Sequence, residues 1–443
     1  MQVTSTSDPA ASDRSAGGGT LLARLNNPVP VGLIGFAGWL IYVILRWQVW
    51  ANGHISLFIM SGQRRYSHPA LMFPKISHVT SIGYDGQFYY RFALDPFNWN
   101  PAAFGITVDH NYRYTRIGYS VVAYIISLGG HGRLLPTVLV VINLICVGVM
   151  AYLGAKFARE ADRHALWGLL FVAYFGLTIS VGRDTAEPLA DACMLGGLLA
   201  YRHSRYILAA LLIAYGVFTN EPVLVLPVVL ALVRIYQFWR KQAKPGLPDL
   251  VWVLPGFVYV LLQGIEKVVV KGKASGAADV TQNLTLPFKA LVPGVYRDIR
   301  FSIDSWTQPN FFDGWDYNLI IFIALLVIIV AALAVIRSSA APLHEKAAFI
   351  GFLLIEMILG SGQYWDATFG DGRTFIEVYL MAVILLIATP ATAVTGAAAS
   401  AHASLMDRAF ATDRTMSNKR LAWVAAPTIV VLIFLLRRHI LHQ

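Results

Sequence analysis

Charged residues are scarce in this chain, at 14% of its 443 residues, whereas hydrophobic residues make up 56%. The hydrophobic residues stand in long uncharged blocks rather than in the amphipathic periods of a soluble protein. Such blocks are typical of membrane-spanning helices, because lipid cannot satisfy exposed backbone polar groups. The two-residue alternation of a transmembrane β-barrel is missing as well. The sequence therefore predicts an all-α fold, a polytopic bundle of transmembrane helices.

Cysteine is equally scarce. The chain has 2 cysteines, Cys146 and Cys193, and both lie inside apolar blocks. Buried free thiols are therefore expected, and neither a disulfide framework nor a thiolate metal site is indicated. The histidines of the first long polar segment also lack the spacing of metal ligands on a helix. They are His54, His68, His78, His110 and His131.

Two signatures of nucleotide and nucleic-acid binding are missing. The chain has no glycine-rich phosphate loop, which argues against a soluble nucleotide-sugar donor. It has no long basic run with interleaved aromatic residues, so its net charge of +10 does not indicate nucleic acid as a partner. The basic residues lie mostly in the joints between apolar blocks. Membrane lipids are the partners that this placement predicts.

The apolar blocks amount to about eleven candidate membrane spans. Residues 1–28, rich in Ser, Ala, Gly and Asp, are predicted to form a disordered cytoplasmic tail. Residues 393–443 contain a cytoplasmic linker and a C-terminal span. The short stretch Ile117–Leu128 is predicted to lie along the membrane interface, with a full span as the alternative. The candidate spans are 29–50, 135–155, 165–182, 185–201, 206–219, 222–238, 249–265, 318–336, 347–360, 374–391 and 422–437.

The charge of the short joints predicts the orientation of the chain. With a cytoplasmic amino terminus, the inner joints contain most of the Lys and Arg residues. Two long segments, 51–134 and 266–317, then lie together on the non-cytoplasmic side. Arg437 and Arg438 would also fall on that side, which conflicts with the rule and leaves the side of the carboxyl terminus open.

The first outer segment contains a hydrophilic stretch, SIGYDGQFYYRFALDP, at residues 81–96. An acid beside Gly86, aromatic residues and Arg91 is costly to place at a membrane surface, so Asp85 is the first candidate functional residue. A carboxylate there could act as a general base that takes a proton from a substrate hydroxyl. The alternative is that Asp85 caps a helix beginning near Gln87.

Two motifs resemble those of a known enzyme superfamily. Residues 84–93, YDGQFYYRFA, look like the aromatic-Asp-x-x-x-aromatic-x-Arg-x-Ala loop of the mannosyltransferases of glycosylphosphatidylinositol synthesis and their bacterial relatives. Residues 112–119, YRYTRIGY, are similar to the segment after that loop, and residues 219–222, TNEP, stand where relatives have a polar motif at a span end. With its many spans, the chain resembles the GT-C superfamily of polytopic glycosyltransferases. It departs from many members in having Gly86, not a second acid, after Asp85.

The resemblance implies an inverting glycosyltransferase that is integral to the plasma membrane, with residues 29–392 as the catalytic module. It would move a sugar, mannose or another hexose or pentose, from a polyprenyl-phosphate donor to a lipid or cell-envelope glycan acceptor on the non-cytoplasmic face. Asp85 would be its catalytic base. A lone acid suits a base better than a carboxylate-bound metal. No cofactor is therefore predicted, with a divalent cation left open.

Further candidate residues lie in the outer loops and at the outer ends of the predicted spans. Arg113, Arg116 and Arg373 are predicted to hold the donor phosphate, because arginine offers a planar fork to its oxygens. Contact with lipid headgroups is the alternative. Asp184 and Glu187 open a span, where the helix dipole alone favours acids. The candidate substrate-binding residues are Tyr84, Gln87, Tyr90, Arg91, Arg113, Arg116, Arg183, Asp184, Glu187, Glu221, Trp365, Asp366, Asp371 and Arg373.

Two acids keep other functions open. Glu221, between Asn220 and Pro222, is predicted to bind acceptor or sugar hydroxyls, with dipole complementation as the alternative. Glu356 lies well inside a predicted span, where buried pairing is the default and a transport path is the second interpretation. The alternative functions are a transporter or flippase of lipid-linked substrates and a non-catalytic membrane protein.

Overall fold

The computed structural model describes residues 21–72, 74–270, 285–294, 296, 300, 317–359 and 372–390. The described chain is mostly helical. Its α-helices are α1 (Leu21–Leu25), α2 (Pro28–Leu45), α3 (Gly86–Leu94), α4 (Gly118–Ile126), α5 (Leu135–Glu160), α6 (Gly176–Gly182), α7 (Glu187–Arg202), α8 (Tyr206–Thr219), α9 (Val225–Trp239), α10 (Leu250–Val269), α11 (Tyr317–Val335), α12 (Leu343–Met357) and α13 (Ile376–Ile387).

Segment 51–134 also contains a very small antiparallel sheet. Strands β1 (Ala102–Ala103) and β2 (Ile106–Thr107) pair with Ala102 opposite Thr107. The turn between them includes Phe104 and Gly105, both with positive φ. This hairpin is far too short to be stable alone, so it depends on packing against the helices around it.

In the part of the chain that the structure describes, four helical stretches are long and apolar enough to cross a membrane: Pro28–Trp50, Leu135–Glu160, Glu221–Trp239 and Leu247–Val269. A bent pair of helices would make a fifth. These spans agree with the membrane class that the sequence predicts, but the predicted number of about eleven is not confirmed.

Two of the other predicted spans correspond to shorter helices. The blocks at 206–219 and 374–391 become α8 and α13, of 14 and 12 residues. At 1.5 Å per residue, neither reaches across a hydrocarbon core of about 30 Å as a straight helix. The predicted span at 422–437 lies outside the described residues.

One predicted span, 165–182, is broken in the structure. A 3₁₀ helix, Ala165–Val172, is followed by α6 with a bend of 66°. The indole Nε1 of Trp39 donates to the carbonyl of Val172 at the break, at 3.1 Å. Tyr42 and Arg46 donate to carbonyls of α6 at 2.9 and 3.1 Å. Trp39 thus satisfies a backbone carbonyl at the break, as a membrane interior requires, and Tyr42 and Arg46 hold α6 against the first span.

The predicted interfacial helix is α4, of 9 residues. Three hydroxyl groups fasten it to its neighbours. Ser120 donates to the carbonyl of Tyr89 in α3, and Tyr119 donates to a carbonyl of α5, each at 2.8 Å. Tyr215 of α8 donates to the carbonyl of Gly118 at 2.8 Å. These bonds hold α3 and the segment before α4 against the helix bundle.

At the other end of α7, Arg202 forms a buried ion pair with α12. Its Nε and Nη2 atoms contact the two carboxylate oxygens of Glu345 at 2.5 and 2.6 Å, and Nη1 contacts Glu160 at 2.8 Å. The Glu345 side chain is fully buried, whereas that of Glu160 is 27% exposed. The two-point fork fixes the distance and angle between α7 and α12.

We expect Glu345→Gln to lower the free energy of unfolding by about 2 kcal/mol, because Arg202 then lacks a buried charged acceptor. The measurement is equilibrium unfolding of the purified protein in detergent micelles. The matched control is Glu160→Gln, which removes a more exposed partner and should cost less than about 1 kcal/mol. Equal effects of the two variants would contradict a special role for the buried fork.

Candidate functional site

Asp85 lies between two arginines from distant parts of the chain. Its Oδ1 is 3.0 Å from Nη2 of Arg113, and its Oδ2 accepts a hydrogen bond from Nη1 of Arg373 at 2.8 Å. The Asp85 side chain is 21% exposed, and those of Arg113 and Arg373 are 10% and 16% exposed. Each carboxylate oxygen therefore faces one guanidinium group in a partly closed site.

The structure disfavours the helix-cap alternative for Asp85. The residue directly precedes α3, but its side chain makes no capping hydrogen bond. Its backbone is already helical, with φ −59° and ψ −29°, whereas a capping residue has extended backbone angles. The two arginines, and not the helix end, are thus the partners of this carboxylate.

The packing around Gly86 explains why no second acid follows Asp85. A Cβ added at Gly86 would lie 2.3 Å from the carbonyl oxygen of Arg183 and 2.6 Å from that of Ile59. Both obstacles are backbone atoms, so neither can rotate away. The start of α3 therefore packs directly on two backbone segments, and a side chain at this position is sterically excluded.

We expect Gly86→Ala to destabilise the fold by about 1–3 kcal/mol, as overpacking does, and to displace Asp85 from its arginines. Thermal unfolding of the detergent-purified protein measures the first effect. The control is Gly38→Ala in α2, where an added Cβ meets no atom within 4 Å. Wild-type stability of the Gly86→Ala protein would show that the backbone contacts at this site are looser than the structure has them.

Arg113 is held in place by partners other than Asp85. It lies in a 3₁₀ helix, Asn111–Thr115. Its Nε donates to Oδ1 of Asp109, and its Nη2 donates to Oδ2 of the same residue at 2.9 Å. Its guanidinium carbon lies 3.9 Å from the ring centroid of Phe88 in α3. The fork to Asp109 and the cation–π contact orient this guanidinium before any ligand binds.

Arg373 is likewise anchored independently of Asp85. Its Nε lies 3.3 Å from Oε1 of Glu187, in the first turn of α7. The preceding residue, Gly372, packs so closely on α6 that a Cβ added at Gly176 would lie 1.7 Å from the Gly372 carbonyl oxygen. This close backbone contact determines where the segment before α13 can place the arginine.

Tyr84 connects the cluster to a further arginine. The guanidinium carbons of Arg183 and Arg373 lie 4.5 and 5.1 Å from its ring centroid. Burial lowers the pKa of Arg183 to about 10, so that this side chain is still charged at neutral pH. An aromatic ring shared by two cations offsets part of their mutual repulsion.

A second ion pair lies beside the first. Nη2 of Arg116 donates to Glu221 at 2.8 Å, and the hydroxyl of Thr115 donates to the other carboxylate oxygen at 2.8 Å. The Tyr112 ring connects the two pairs, with its centroid 4.4 Å from Arg116 and 5.3 Å from Arg113. Glu221 thus has specific partners and is not only an acid near the start of a helix.

The two arginines keep Asp85 ionised. Burial raises the pKa of this carboxyl, but the charges and hydrogen bonds of Arg113 and Arg373 outweigh burial and hold its pKa well below the usual range. Because the pKa is lower in the folded than in the unfolded chain, the interaction stabilises the fold above the unfolded value of about 4. This stabilisation is lost as the pH falls from about 4 through the folded pKa.

Several predicted residues lie away from this cluster. The buried Gln87 side chain accepts a hydrogen bond from the Ser67 hydroxyl and donates one to the carbonyl of Ile82. The buried Tyr90 hydroxyl has no hydrogen-bond partner among the described residues. Arg91 donates to backbone carbonyls of Asn98 and Asn100, which fixes the loop after α3. The predictions for Trp365, Asp366 and Asp371 lie outside the described residues.

Asp184 is a separate case. It is fully buried, has a positive φ of 47°, and its carboxylate oxygens have no hydrogen-bond partner in the described part of the chain. Burial raises its pKa, which the charge of Arg46 only partly offsets. Asp184 is therefore not one of the acids that contact Arg113 and Arg373 among the described residues.

Sequence reasoning missed three participants: Asp109, Phe88 and Tyr112. Asp109 stands four residues before Arg113, a spacing typical of a helical ion pair that could have identified it. Phe88 and Tyr112 lie within the two motifs, but no local pattern indicates which aromatic rings face an arginine. Only the packing of α3 against the 3₁₀ helix selects them.

The cavities lie in unexpected places. Beside Arg113 and Arg116 the free volume is only about 10 Å³, room for about one water molecule. A cavity of about 760 Å³ lies at the opposite ends of α7 and α13, near Arg202 and His344. This cavity adjoins the ion pair of Arg202, and Asp85, Arg113 and Arg373 do not line it. Its size alone therefore does not make it the candidate reactive site. Among the described residues no group of three or more His, Cys, Asp or Glu side chains could hold a metal ion.

Together these features define a helical protein with an arginine–carboxylate cluster where the start of α7 and the segment before α13 meet. Its apolar helices are compatible with an integral membrane protein. No family model, no curated protein and no solved structure matches this chain.

Proposed function

We propose that this protein is an integral-membrane inverting glycosyltransferase. It moves a sugar from a polyprenyl-phosphate donor to a lipid or glycan acceptor on the non-cytoplasmic face. The observation that carries the proposal is the placement of Asp85 between Arg113 and Arg373. A carboxylate and two anchored arginines in a half-closed site are the groups that such a transfer needs.

The arginines suit the donor phosphate. Each presents a planar set of N–H donors and stays charged in a partly dry site, where a phosphate gains strong, charge-assisted hydrogen bonds. The first turn of α7 lies beside them, and the positive end of a helix dipole adds a favourable field for an anion. Arg183, across the ring of Tyr84, adds a third positive charge at longer range.

The proposed reaction balances in charge and protons. The acceptor hydroxyl attacks the anomeric carbon, the bond from that carbon to the phosphate oxygen breaks, and the configuration inverts. The bonding electrons leave with the lipid phosphate, which gains one negative charge opposite Arg113 and Arg373. The hydroxyl proton passes to the Asp85 carboxylate. Positioned general-base catalysis of this kind contributes about 10²–10⁴-fold in rate.

The second ion pair suits recognition of hydroxyl groups. Glu221 is held by Arg116 and Thr115, so its carboxylate has a defined position and remaining acceptor capacity. The adjacent ring of Tyr112 offers an apolar face for a sugar ring. We assign this pair to the acceptor or to the transferred sugar.

A transfer assay tests the proposal directly. The full chain, purified in nanodiscs, is offered a panel of polyprenyl-phosphate hexoses and pentoses together with envelope lipid extract. Appearance of a glycosylated product and of free polyprenyl phosphate is the expected result. Mass spectrometry of cell-envelope glycans with and without the protein then identifies sugar and acceptor. A panel without turnover and an unchanged glycan profile would overturn the assignment.

One observation favours transport as a second candidate. Asp191 in α7 and Glu377 in α13 are buried, and both carboxylate oxygens of Asp191 lack a hydrogen-bond partner among the described residues. Buried acids within membrane helices often mark ion or substrate pathways. Uptake into proteoliposomes that is lost in Asp191→Asn but kept in Asp85→Asn would favour a transporter over the transferase.

A further inference from the structure

The state of Asp85 in this structure conflicts with its proposed task. A general base works best when its pKa lies near the working pH, yet the two arginines hold the pKa of Asp85 well below its usual range. The carboxylate also fills the position between the two guanidinium groups, where a phosphate would meet both of them. The free protein is therefore arranged neither to take a proton nor to hold a donor.

We infer that Asp85 occupies, in the free protein, the anion position that the donor's phosphate takes in the complex. Donor binding would displace the carboxylate from Arg113 and Arg373 and so release the base at the moment when the leaving group is bound. This inference rests on the proposed function and adds an order to it: the donor binds first, and Asp85 becomes competent only afterwards.

The anchoring of the two arginines supports this exchange. Asp109 and Phe88 hold Arg113, and Glu187 holds Arg373, through contacts that do not involve Asp85. Removal of the Asp85 carboxylate would thus leave two oriented forks with unfilled donors. A phosphate oxygen pair can satisfy the same donors, because carboxylate and phosphate both accept two-point bonds from arginine.

The charges around the site support it as well. Asp85, Asp109 and Glu187 face Arg113 and Arg373, so three acids already contact these two cations, and Arg183 adds a positive charge only at longer range across Tyr84. Addition of a phosphate next to a retained Asp85 carboxylate would place further anions against the same cations. Replacement of the carboxylate by the phosphate avoids that repulsion. Asp85 can leave by rotation about its own side-chain torsions, since it makes no helix-cap bond.

The Asp85 carboxylate is an internal occupant of the position between the two arginines. One of its oxygens lies 3.0 Å from Arg113, and the other accepts a hydrogen bond from Arg373 at 2.8 Å. When a binding-competent state is only fractionally populated, the apparent affinity falls by that fraction. An internal carboxylate that fills the site most of the time therefore weakens the binding of an external anion.

The test is binding of farnesyl phosphate to the full chain in nanodiscs, compared between wild type and Asp85→Asn. We expect the variant to bind farnesyl phosphate about tenfold more tightly. This factor corresponds to a carboxylate that fills the site about nine-tenths of the time and leaves it free for about one-tenth. Farnesol serves as the ligand without phosphate and should bind both proteins equally. A second titration with inorganic phosphate separates the contribution of the phosphate group from that of the lipid.

Asp109→Asn is the matched control, because it removes the same charge from Arg113 without opening the position between the two arginines. It should not tighten binding of farnesyl phosphate. If both variants bound farnesyl phosphate more tightly to the same extent, the effect would come from net charge alone and the inference would be overturned. Unchanged or weaker binding by Asp85→Asn would also overturn it. Asp85→Ser provides a second variant, and thermal unfolding checks that each protein is folded. The comparison needs no turnover, so its failure is distinguishable from failure of the transferase proposal.

Discussion

The Asp85→Asn protein is expected to lose sugar transfer by about 10²–10⁴-fold, because an amide cannot take the acceptor's proton. The substitution keeps the size and shape of the side chain, so the loss should appear in kcat. The measurement is initial-rate transfer in nanodiscs, with the donor and acceptor found by the panel assay. Donor binding should not fall but tighten, since both arginines remain and the competing carboxylate is gone.

Asp95→Asn is the control for this experiment. Asp95 directly follows α3, whereas Asp85 directly precedes it. The Asp95 side chain accepts a hydrogen bond from the backbone N–H of Phe97 and contacts no arginine of the cluster. Its variant should transfer sugar at a near-normal rate. If Asp85→Asn did the same, Asp85 would not be the base, and its ion pairs would be structural only.

The second large effect is expected for Arg373→Ala, which should reduce transfer by about 10²–10³-fold, the usual cost of removing a donor that stabilises developing charge. Arg373 contacts both Asp85 and Glu187, so its loss removes one of the two groups opposite the leaving phosphate. Both kcat and the affinity for farnesyl phosphate should fall, because the contact exists in the ground state and strengthens as the phosphate gains charge.

Arg373→Lys separates charge from geometry. Lysine keeps the charge but offers no planar fork, so it should recover only part of the affinity and less of the rate. Arg240→Ala, at the exposed end of α9, is the surface control and should leave both quantities unchanged. Full activity of Arg373→Ala would contradict the proposed phosphate site, whatever the outcome for Asp85.

Much of the architecture could be predicted from the chain alone. Blocks 29–50 and 135–155 correspond closely to Pro28–Trp50 and Leu135–Glu160, because an apolar run of this length with no more than one charge has few alternatives to a long apolar helix. The break in 165–182 was not predictable, since no proline or charge marks it. It depends on side chains of another helix: Trp39 donates to the carbonyl of Val172 at the break, and Tyr42 donates to that of Thr178 in α6.

The candidate site, too, could be predicted only in part from the sequence. Its acid and its arginines stood out because ionisable residues are rare and costly in such a chain. Which arginine meets which acid was decided by contacts over long sequence separations, such as the 288 residues between Asp85 and Arg373. The motif also suggested Arg91, but packing turns that side chain to the loop carbonyls of Asn98 and Asn100.

The sequence by itself determined that this protein is a bundle of apolar helices with a few acids and arginines between them, because long apolar blocks without two-residue alternation leave a chain in lipid no other regular structure. Only the tertiary structure decided that Asp85 lies between Arg113 and Arg373 and that a side chain is excluded at Gly86. The physical reason is that ion pairs and close backbone contacts are set by the relative positions of distant segments, on which local sequence carries no information.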